Sequence, residues 1–320
     1  MCMSIFLHGH TAYSYWQRAD PVAAEAALEN AVGNKMMLDA SASPNNVRRL
    51  AELFPEMPAP YHLLVCSTKS RRPLDEAVMH TCTQALPRRS YREIADNVYA
   101  PCPELCFLQM ARRNDLLRLV RAGYRLCARY CVQRDSRDGT TVLRERAPIT
   151  TPEAITKYLD RAESVHGAIL ARRASKHVLG NAASPPEIDL AMKLSLPHRL
   201  GGFGLPHPVL NKRIELQARV RGIADKQWHE ADLLWPDAKL VIEYDSDQFH
   251  RESSRFDEDA AKRTTLESMG YRVITVTNAI LKNPHSLERV ALSASKQLGV
   301  RMRFQGRDFE EMQRALFALR

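Results

Sequence analysis

Residues 230–245, EADLLWPDAKLVIEYD, decide how the second half of this chain folds. Two apolar runs flank Pro236-Asp237, a dipeptide typical of turns, and carboxylates interrupt both runs. The pattern predicts a hairpin of strands 229–235 and 239–245. A charge inside a sheet is costly unless a partner compensates it, so the embedded carboxylates need an explanation.

The spacing of the acidic residues in this hairpin brings them to one face of the sheet. A two-residue turn would place Trp235 opposite Ala238, and a four-residue turn would keep the same parity. Because side chains alternate along a strand, Asp232, Glu243 and Asp245 then share a face. Only a slip of one residue would separate them.

Three clustered carboxylates have two interpretations that the spacing leaves equally open. Oxygen ligands without neighbouring Cys or His pairs suit Mg²⁺ or Mn²⁺ better than Zn²⁺. Alternatively, Asp232 pairs with a basic side chain, and Glu243 and Asp245 lie at a solvated strand end.

The segments around the hairpin predict an α/β core with a mixed sheet. Ser184-Pro185-Pro186-Glu187 has the form of a capping box, which predicts a helix to about residue 196. A strand near 212–216 precedes the hairpin, a helix over 256–269 follows it, and 271–277 alternates like a further strand. The predicted order is helix, three strands, helix, strand.

The spacing Asp232-x10-Glu243-x-Asp245 resembles the metal-binding core of the PD-(D/E)xK, or restriction-endonuclease-like, superfamily. A longer run resembles the branch around very-short-patch-repair (Vsr-like) endonucleases, over roughly residues 184–282. The matching positions are Asp232, Ile242, Glu243, Tyr244, Asp245, His250, Asp259, Arg263, Leu266, Gly270, Tyr271, Arg272 and Val273.

The resemblance implies a metal held by Asp232, Glu243 and Asp245, with Glu187 as the acidic residue of the first helix. It also implies a catalytic role for His250. Asp245 stands where the superfamily usually has lysine, and a carboxylate cannot donate to a phosphate. His250 would then act as the base, since the ordinary pKa of a histidine side chain lies near neutrality.

Two basic residues of the following helix are candidates for the missing positive charge. Lys262 would supply it if its side chain reaches the carboxylates. Arg263 lies four residues after Asp259, and an ordinary helical ion pair explains it better. Glu187 likewise has a complete explanation as a helix cap.

The first 183 residues form a separate mixed α+β region in this prediction, ending at the small-residue and proline run 179–186. Strands are predicted at 61–66 and 93–100, and helices at 104–112 and 115–130. Residues 98–105, VYAPCPEL, resemble AbiEi-type antitoxin regulators, which implies a DNA- or partner-binding module. The predicted domains are therefore 1–183 and 184–320.

Composition bounds the class of protein. Hydrophobic residues make up 45% and charged residues 26%, which excludes a disordered chain, and no apolar run is long enough for a membrane span. The net charge is +9, and residues 1–183 carry 25 Lys and Arg against 18 Asp and Glu. This balance favours a polyanionic partner, nucleic acid ahead of a membrane.

Cysteine and histidine patterns give weaker indications. Seven cysteines favour reduced thiols and a cytoplasmic location. The pairs Cys102/Cys106 and Cys127/Cys131 have spacing that fits packing on one helix face better than a zinc site. His8 and His10 flank Gly9, which predicts a turn and a helix cap with no metal.

These patterns together predict a cytoplasmic, Mg²⁺- or Mn²⁺-dependent DNA endonuclease. The alternative is a non-catalytic DNA-binding or antitoxin-like regulator whose nuclease fold has lost activity, because lysine is missing at Asp245. The same residues would act on RNA, so the choice of nucleic acid stays open. A toxin–antitoxin or defence-system partner is implied only by resemblance, and the oligomeric state is open.

Overall fold

The structure is a computed structural model. It describes residues 4–70, 73–135, 138–216, 227–245, 253–302 and 308–319, without the side chains of 70 and 253–259. The chain divides into two compact units, Met1–Gly180 and Asn181–Arg320, called the N-terminal and C-terminal units below. The division lies in the small-residue run where the sequence predicts a boundary. Both units mix helices and strands, so the predicted α/β class is confirmed.

The N-terminal unit contains eight described strands and seven described α-helices. The strands are β1 (Ile5–Leu7), β2 (Ala31–Val32), β3 (Tyr61–Leu64), β4 (Ala77–His80), β5 (Tyr91–Ala95), β6 (Val98–Pro101), β7 (Tyr130–Arg134) and β8 (Thr141–Glu145). The helices are α1 (Gly9–Arg18), α2 (Pro21–Glu29), α3 (Pro44–Leu53), α4 (Pro103–Met110), α5 (Leu116–Leu126), α6 (Pro152–Arg161) and α7 (Ala168–Ser175).

A six-stranded mixed sheet organises the N-terminal unit, in the order β2-β5-β6-β1-β3-β4. β1 lies near its centre, antiparallel to β3 and parallel to β6, and all three of its residues are buried. β7 and β8 form a separate antiparallel pair. Local sequence sets several helix starts: Asp20, Ser43, Asp115 and Thr151 each accept a backbone amide at an N-cap.

One predicted strand of this unit is wrong. The segment 93–100 is not a single strand: β5 ends at Ala95, β6 begins at Val98, and the two pair antiparallel. Asn97 turns the chain between them with a φ of 55°, a left-handed conformation that asparagine tolerates better than most residues. Asp96-Asn97 is a pair of residues typical of turns, which fits the break between the two strands.

The four cysteines considered for zinc are buried in the N-terminal unit. Burial is the largest cause that raises the pKa of the Cys102, Cys106, Cys127 and Cys131 thiols. This shift favours the neutral thiol over the thiolate that binds zinc. The side chains pack as small apolar groups in the core. The prediction of one helix face is wrong for Cys127 and Cys131, because α5 ends at Leu126 and Cys131 lies in β7.

The C-terminal unit is built in the predicted order of helix, three strands, helix, strand. Its elements are α8 (Pro185–Ser195), β9 (Val209–Glu215), β10 (Trp228–Trp235), β11 (Leu240–Asp245), α9 (Ser253–Ser268), β12 (Arg272–Thr277), α10 (Asn278–Lys282), α11 (Pro284–Gln297) and α12 (Phe309–Phe317). The sheet has the order β12-β11-β10-β9. β10 is antiparallel to both neighbours, whereas β11 and β12 run parallel, so α9 connects two parallel strands.

Apolar side chains of the sheet and of α9 form a buried cluster in this unit. Its members are Ile214, Leu216, Ala231, Leu234, Val241, Leu266, Met269 and Val273. Gly270, with a φ of 84°, ends α9 as the sequence predicts and turns the chain into β12. The cluster fixes α9 against the strands that carry the acidic residues.

A glycine loop closes the other helix of the core, α8, onto its own last turn. The amides of Phe203 and Leu205 donate to the carbonyls of Lys193 and Leu194, both at 2.8–2.9 Å. Just before Phe203, a Cβ added to Gly202 would overlap the carbonyl oxygen of Leu196. Only glycine fits this close approach of two backbones.

We therefore expect Gly202→Ala to lower the free energy of unfolding of the C-terminal unit by about 1–3 kcal/mol, because the backbone must move to relieve the overlap. Urea denaturation followed by tryptophan fluorescence measures it, since Trp228 and Trp235 lie in this unit.

Gly33→Ala, in the N-terminal unit that Trp16 reports on, is the control for a glycine replacement without overlap, because a Cβ at Gly33 meets nothing within 4 Å. The control should leave stability unchanged or raise it slightly. Equal effects of the two substitutions would show that the close approach at Gly202 does not constrain the fold.

Candidate functional site

The register of the β10–β11 hairpin brings two of the predicted acidic residues side by side. Trp235 pairs with Leu240 and Leu233 pairs with Ile242, so the next pair along is Asp232 and Glu243. The turn contains four residues, 236–239, and Lys239 has a φ of 47°. The pairing differs by two residues from that of a two-residue turn, and the predicted parity holds.

Asp232 lies in the middle of β10 between the fully buried Ala231 and Leu233. Its Oδ2 accepts a hydrogen bond of 2.7 Å from the Tyr244 amide, so the backbone of β11 fixes its orientation. Burial raises the pKa of Asp232 well above its usual value, and the nearby carboxylates of Glu243 and Glu187 raise it further. The surroundings therefore disfavour the charged form of Asp232 and favour its protonation or the binding of a cation.

Glu187 reaches the same place from the first turn of α8. Ser184 caps this helix as predicted, but Glu187 does not bond back to the Ser184 amide. Its Oε2 accepts from the Ala183 amide at 2.8 Å, and its Oε1 accepts from the Ser184 hydroxyl at 2.7 Å. Its influence on the pKa of Asp232 shows that a capping residue also contributes to the acidic cluster.

Asn211 is a site residue that the sequence analysis missed. β9 pairs Lys212 with Ala231 and Leu210 with Leu233, which places Asn211 opposite Asp232. Its Nδ2 donates to Glu187 Oε2 at 2.6 Å and to the Asn181 carbonyl at 2.9 Å. The only local signal is an asparagine inside a predicted strand, a residue that strands disfavour; its φ of 47° is left-handed.

Lys262 supplies the positive charge of the site. Its Nζ lies 2.7 Å from Glu243 Oε2, and both side chains are mostly buried, with 23% and 18% exposed. Its charge also opposes the rise in the pKa of Asp232. Lys262 precedes the fully buried Leu266 by one helical turn, so the packing of α9 directs the ammonium group toward β11.

The remaining predicted residues are placed differently. Asp245 ends β11 opposite Thr277 and is partly exposed. His250 lies outside the described residues, and so does the side chain of Asp259. Arg263 forms its helical ion pair with Glu267, at 2.9 Å, and takes no part in the acidic cluster.

The donor set of this cluster is suited to a hard divalent ion. Asp232 and Glu243 provide oxygen ligands only, and their mutual repulsion is what a cation would relieve. Within the described residues, no group of three His, Cys, Asp or Glu is arranged to hold an ion. The chain therefore provides two adjacent carboxylates for a metal, with the ammonium group of Lys262 already against one of them.

Comparisons of the chain with protein families, with characterised proteins and with solved structures give no match. The resemblance to the restriction-endonuclease-like superfamily thus stays a prediction from the residues quoted above. No described helix has the length and apolar character needed to cross a membrane.

The raised pKa of Asp232 predicts how stability depends on pH when divalent ions are absent. The folded protein holds this proton more tightly than the unfolded chain does, so folding loses stability as pH rises from about 4 through the raised pKa. Asp232→Asn removes the titration and keeps an oxygen for the Tyr244 amide. It should stabilise the C-terminal unit at pH 7.5 by more than about 1 kcal/mol and have little effect at pH 4.

Thermal unfolding at the two pH values in EDTA measures this difference. Asp237→Asn, at an exposed turn position, is the control and should shift neither melting temperature. A stabilisation by Asp232→Asn that is the same at both pH values would contradict the assigned cause.

Proposed function

We propose that the C-terminal unit is a metal-dependent endonuclease that hydrolyses phosphodiester bonds in DNA. The observation that carries the proposal is the position of Lys262: its ammonium group lies against Glu243, which is the cross-strand neighbour of the buried Asp232. The resemblance requires two carboxylates on a mixed sheet and a lysine close to them. The lysine comes from α9 and not from the position of Asp245.

The side chains divide the work as follows. Asp232 and Glu243 would hold a Mg²⁺ or Mn²⁺ ion, which when bound lowers the pKa of a water molecule and neutralises charge on the phosphate. Lys262 donates hydrogen bonds to the phosphate oxygens where negative charge develops. Hydrogen bonds from Asn211 and Ser184 fix the orientation of the Glu187 carboxylate, whose charge acts on Asp232.

Access to Lys262 is through a surface groove of about 570 Å³. Its lining residues are Gln227, Trp228, His229, Glu230 and Lys262. The guanidinium of Arg213 lies 4.1 Å from the centre of the Trp228 ring, so a cation and an aromatic face border this groove. Such pairs support contacts with phosphates and with unstacked bases.

The basic balance of the chain supports a nucleic-acid substrate. The net charge of +9 favours binding to a polyanion, and such binding weakens steeply as salt is added. The role of His250 as the base that activates water stays part of this proposal, on the resemblance alone.

Cleavage of supercoiled plasmid in the presence of Mg²⁺, Mn²⁺ or EDTA tests the activity. We expect metal-dependent nicking that Asp232→Asn and Glu243→Gln abolish. Lys262→Gln should reduce the rate by roughly 10²–10³-fold, as is typical when one donor to developing oxyanion charge is removed.

Arg263→Gln is the matched control, because Arg263 is the next residue of the same helix and is exposed. It should retain the wild-type rate. Absence of cleavage with any metal, together with salt-sensitive DNA binding, would reject the nuclease and favour the non-catalytic regulator. Single-stranded DNA and RNA oligonucleotides, tested in parallel, distinguish the substrates.

A further inference from the structure

A cluster of histidines in the N-terminal unit encloses a small cavity that the proposed nuclease does not use. His8 follows β1, His62 lies in β3, and His80 ends β4. The sheet order β1-β3-β4 explains how residues far apart in sequence meet. His8 also donates its backbone amide to the carbonyl of His62 at 2.9 Å.

The imidazole rings contact one another directly. His62 Nδ1 and His80 Nε2 are 2.9 Å apart and share a hydrogen bond. The ring of His8 stacks on that of His80, with centroids 4.1 Å apart and an angle of 8°. His10 meets His62 edge to face at 5.6 Å. The sequence pattern at His8 and His10 predicts only a turn and a helix cap, because their partners His62 and His80 lie far away along the chain.

The cavity, called the histidine cavity below, has a volume of about 170 Å³. Its described lining consists of His8, Gly9, His10, His62, His80, Gln109, Arg112, Arg113 and His166. The volume is sufficient for one tetrahedral oxyanion.

The charge of the histidine cavity is positive. Two guanidinium groups, of Arg112 and Arg113, line it, and its described lining contains neither Asp nor Glu. Burial is the main cause that lowers the pKa of His62 to about 4, and the charge of Arg113 lowers it further. Burial is also the main cause that lowers the pKa of His8, followed by His80 and Arg112, and burial followed by Arg113 lowers the pKa of His10.

His8 provides an independent indication of a ligand. Its side chain is 5% exposed, and its Nδ1 has no hydrogen-bond partner among the described residues. A buried ring nitrogen without a partner is costly, and a bound acceptor or donor in the cavity would satisfy it. α1 also begins at Gly9, so the positive end of a ten-residue helix borders the same space.

We infer that the histidine cavity binds a phosphate monoester group. The arginines supply charge, and the imidazole N–H groups supply directional hydrogen bonds to phosphate oxygens, whereas Gln109 Oε1 already accepts from the Gly9 amide at 2.9 Å. A divalent cation is disfavoured because two guanidinium groups repel it. The rings of His8 and His80 are also stacked and parallel, and within the described residues no group of three His, Cys, Asp or Glu is arranged to hold a metal ion. This inference does not depend on the nuclease activity of the C-terminal unit.

Isothermal titration calorimetry of the full chain with inorganic phosphate tests the inference. We expect saturable binding at millimolar phosphate or below. The double substitution Arg112→Gln/Arg113→Gln should weaken binding at least about tenfold, since it removes the charge-assisted hydrogen bonds. Both arginines are exposed, so the variant should fold, and circular dichroism checks this.

Arg118→Gln is the matched control, because Arg118 is an exposed arginine of α5 whose partner is Asp115 and which does not line the cavity. It should bind phosphate as the wild type does. His10→Asn, at an exposed lining position, should weaken binding without disturbing the core. NMR of the histidine ring signals is the second measurement. Phosphate should shift the signals of His8 and His10 in the wild type, and the remaining signals should not respond in the variants.

Two further ligands identify the source of the phosphate group. Displacement of inorganic phosphate by a 5′-phosphorylated oligonucleotide, and not by the unphosphorylated one, would support the inference and identify a nucleic-acid end. If phosphate binds but the phosphorylated oligonucleotide does not displace it, the inference is supported and the ligand is a small phosphorylated molecule. No phosphate binding by the wild type, equal binding by the double variant, or binding of Zn²⁺ in place of phosphate would overturn it.

Discussion

The pairing of β10 with β11 is the constraint on which the acidic cluster depends. The paired residues end at Leu233 and Ile242, so the same register makes Asp232 and Glu243 the next residues on the two strands, whatever their charges prefer. Two like charges so close, one of them buried, destabilise the folded state. The apolar cluster between the sheet and α9 offsets this cost, since it holds the strands and the helix in position. Carboxylates that are held together at a cost in folding free energy are typical of a functional site.

Lys262 and Asn211 show how the surroundings make this arrangement tolerable. Lys262 neutralises part of the charge on Glu243, and Asn211 binds the Glu187 carboxylate through its amide. Neither contact removes the cost of keeping Asp232 charged, and its pKa stays raised. The cluster is thus held by its neighbours in a state that favours cations and protons, which is a chemical property and not only a structural one.

The sequence predicts those parts of the structure that depend on local periodicity. Alternation along the two strands is sufficient to bring Asp232 and Glu243 to one face, because both plausible turn lengths have the same parity. The capped start of α8 and the glycine at the end of α9 are equally local signals. By contrast, the contact of Lys262 with Glu243 depends on the rotation and packing of a whole helix, and one residue pattern does not specify it.

Contacts between distant segments explain what the sequence could not give. The three histidines His8, His62 and His80 follow or belong to different strands, and only the strand order of the sheet brings them together. Asn211 is placed by pairing with a strand whose register is set elsewhere. Neither feature has a spacing rule, since each requires knowledge of which strands are neighbours.

The origin of Lys262 on a helix has a consequence for how the site can change. The carboxylates are held by strand register, whereas the ammonium group is held by the rotational phase of α9 about its axis. One residue inserted between Lys262 and Leu266 would turn the lysine by about 100° relative to the packed face and leave the hairpin untouched. A rotation of the helix could therefore move the ammonium group of Lys262 away from the carboxylates, while every side chain keeps its chemistry.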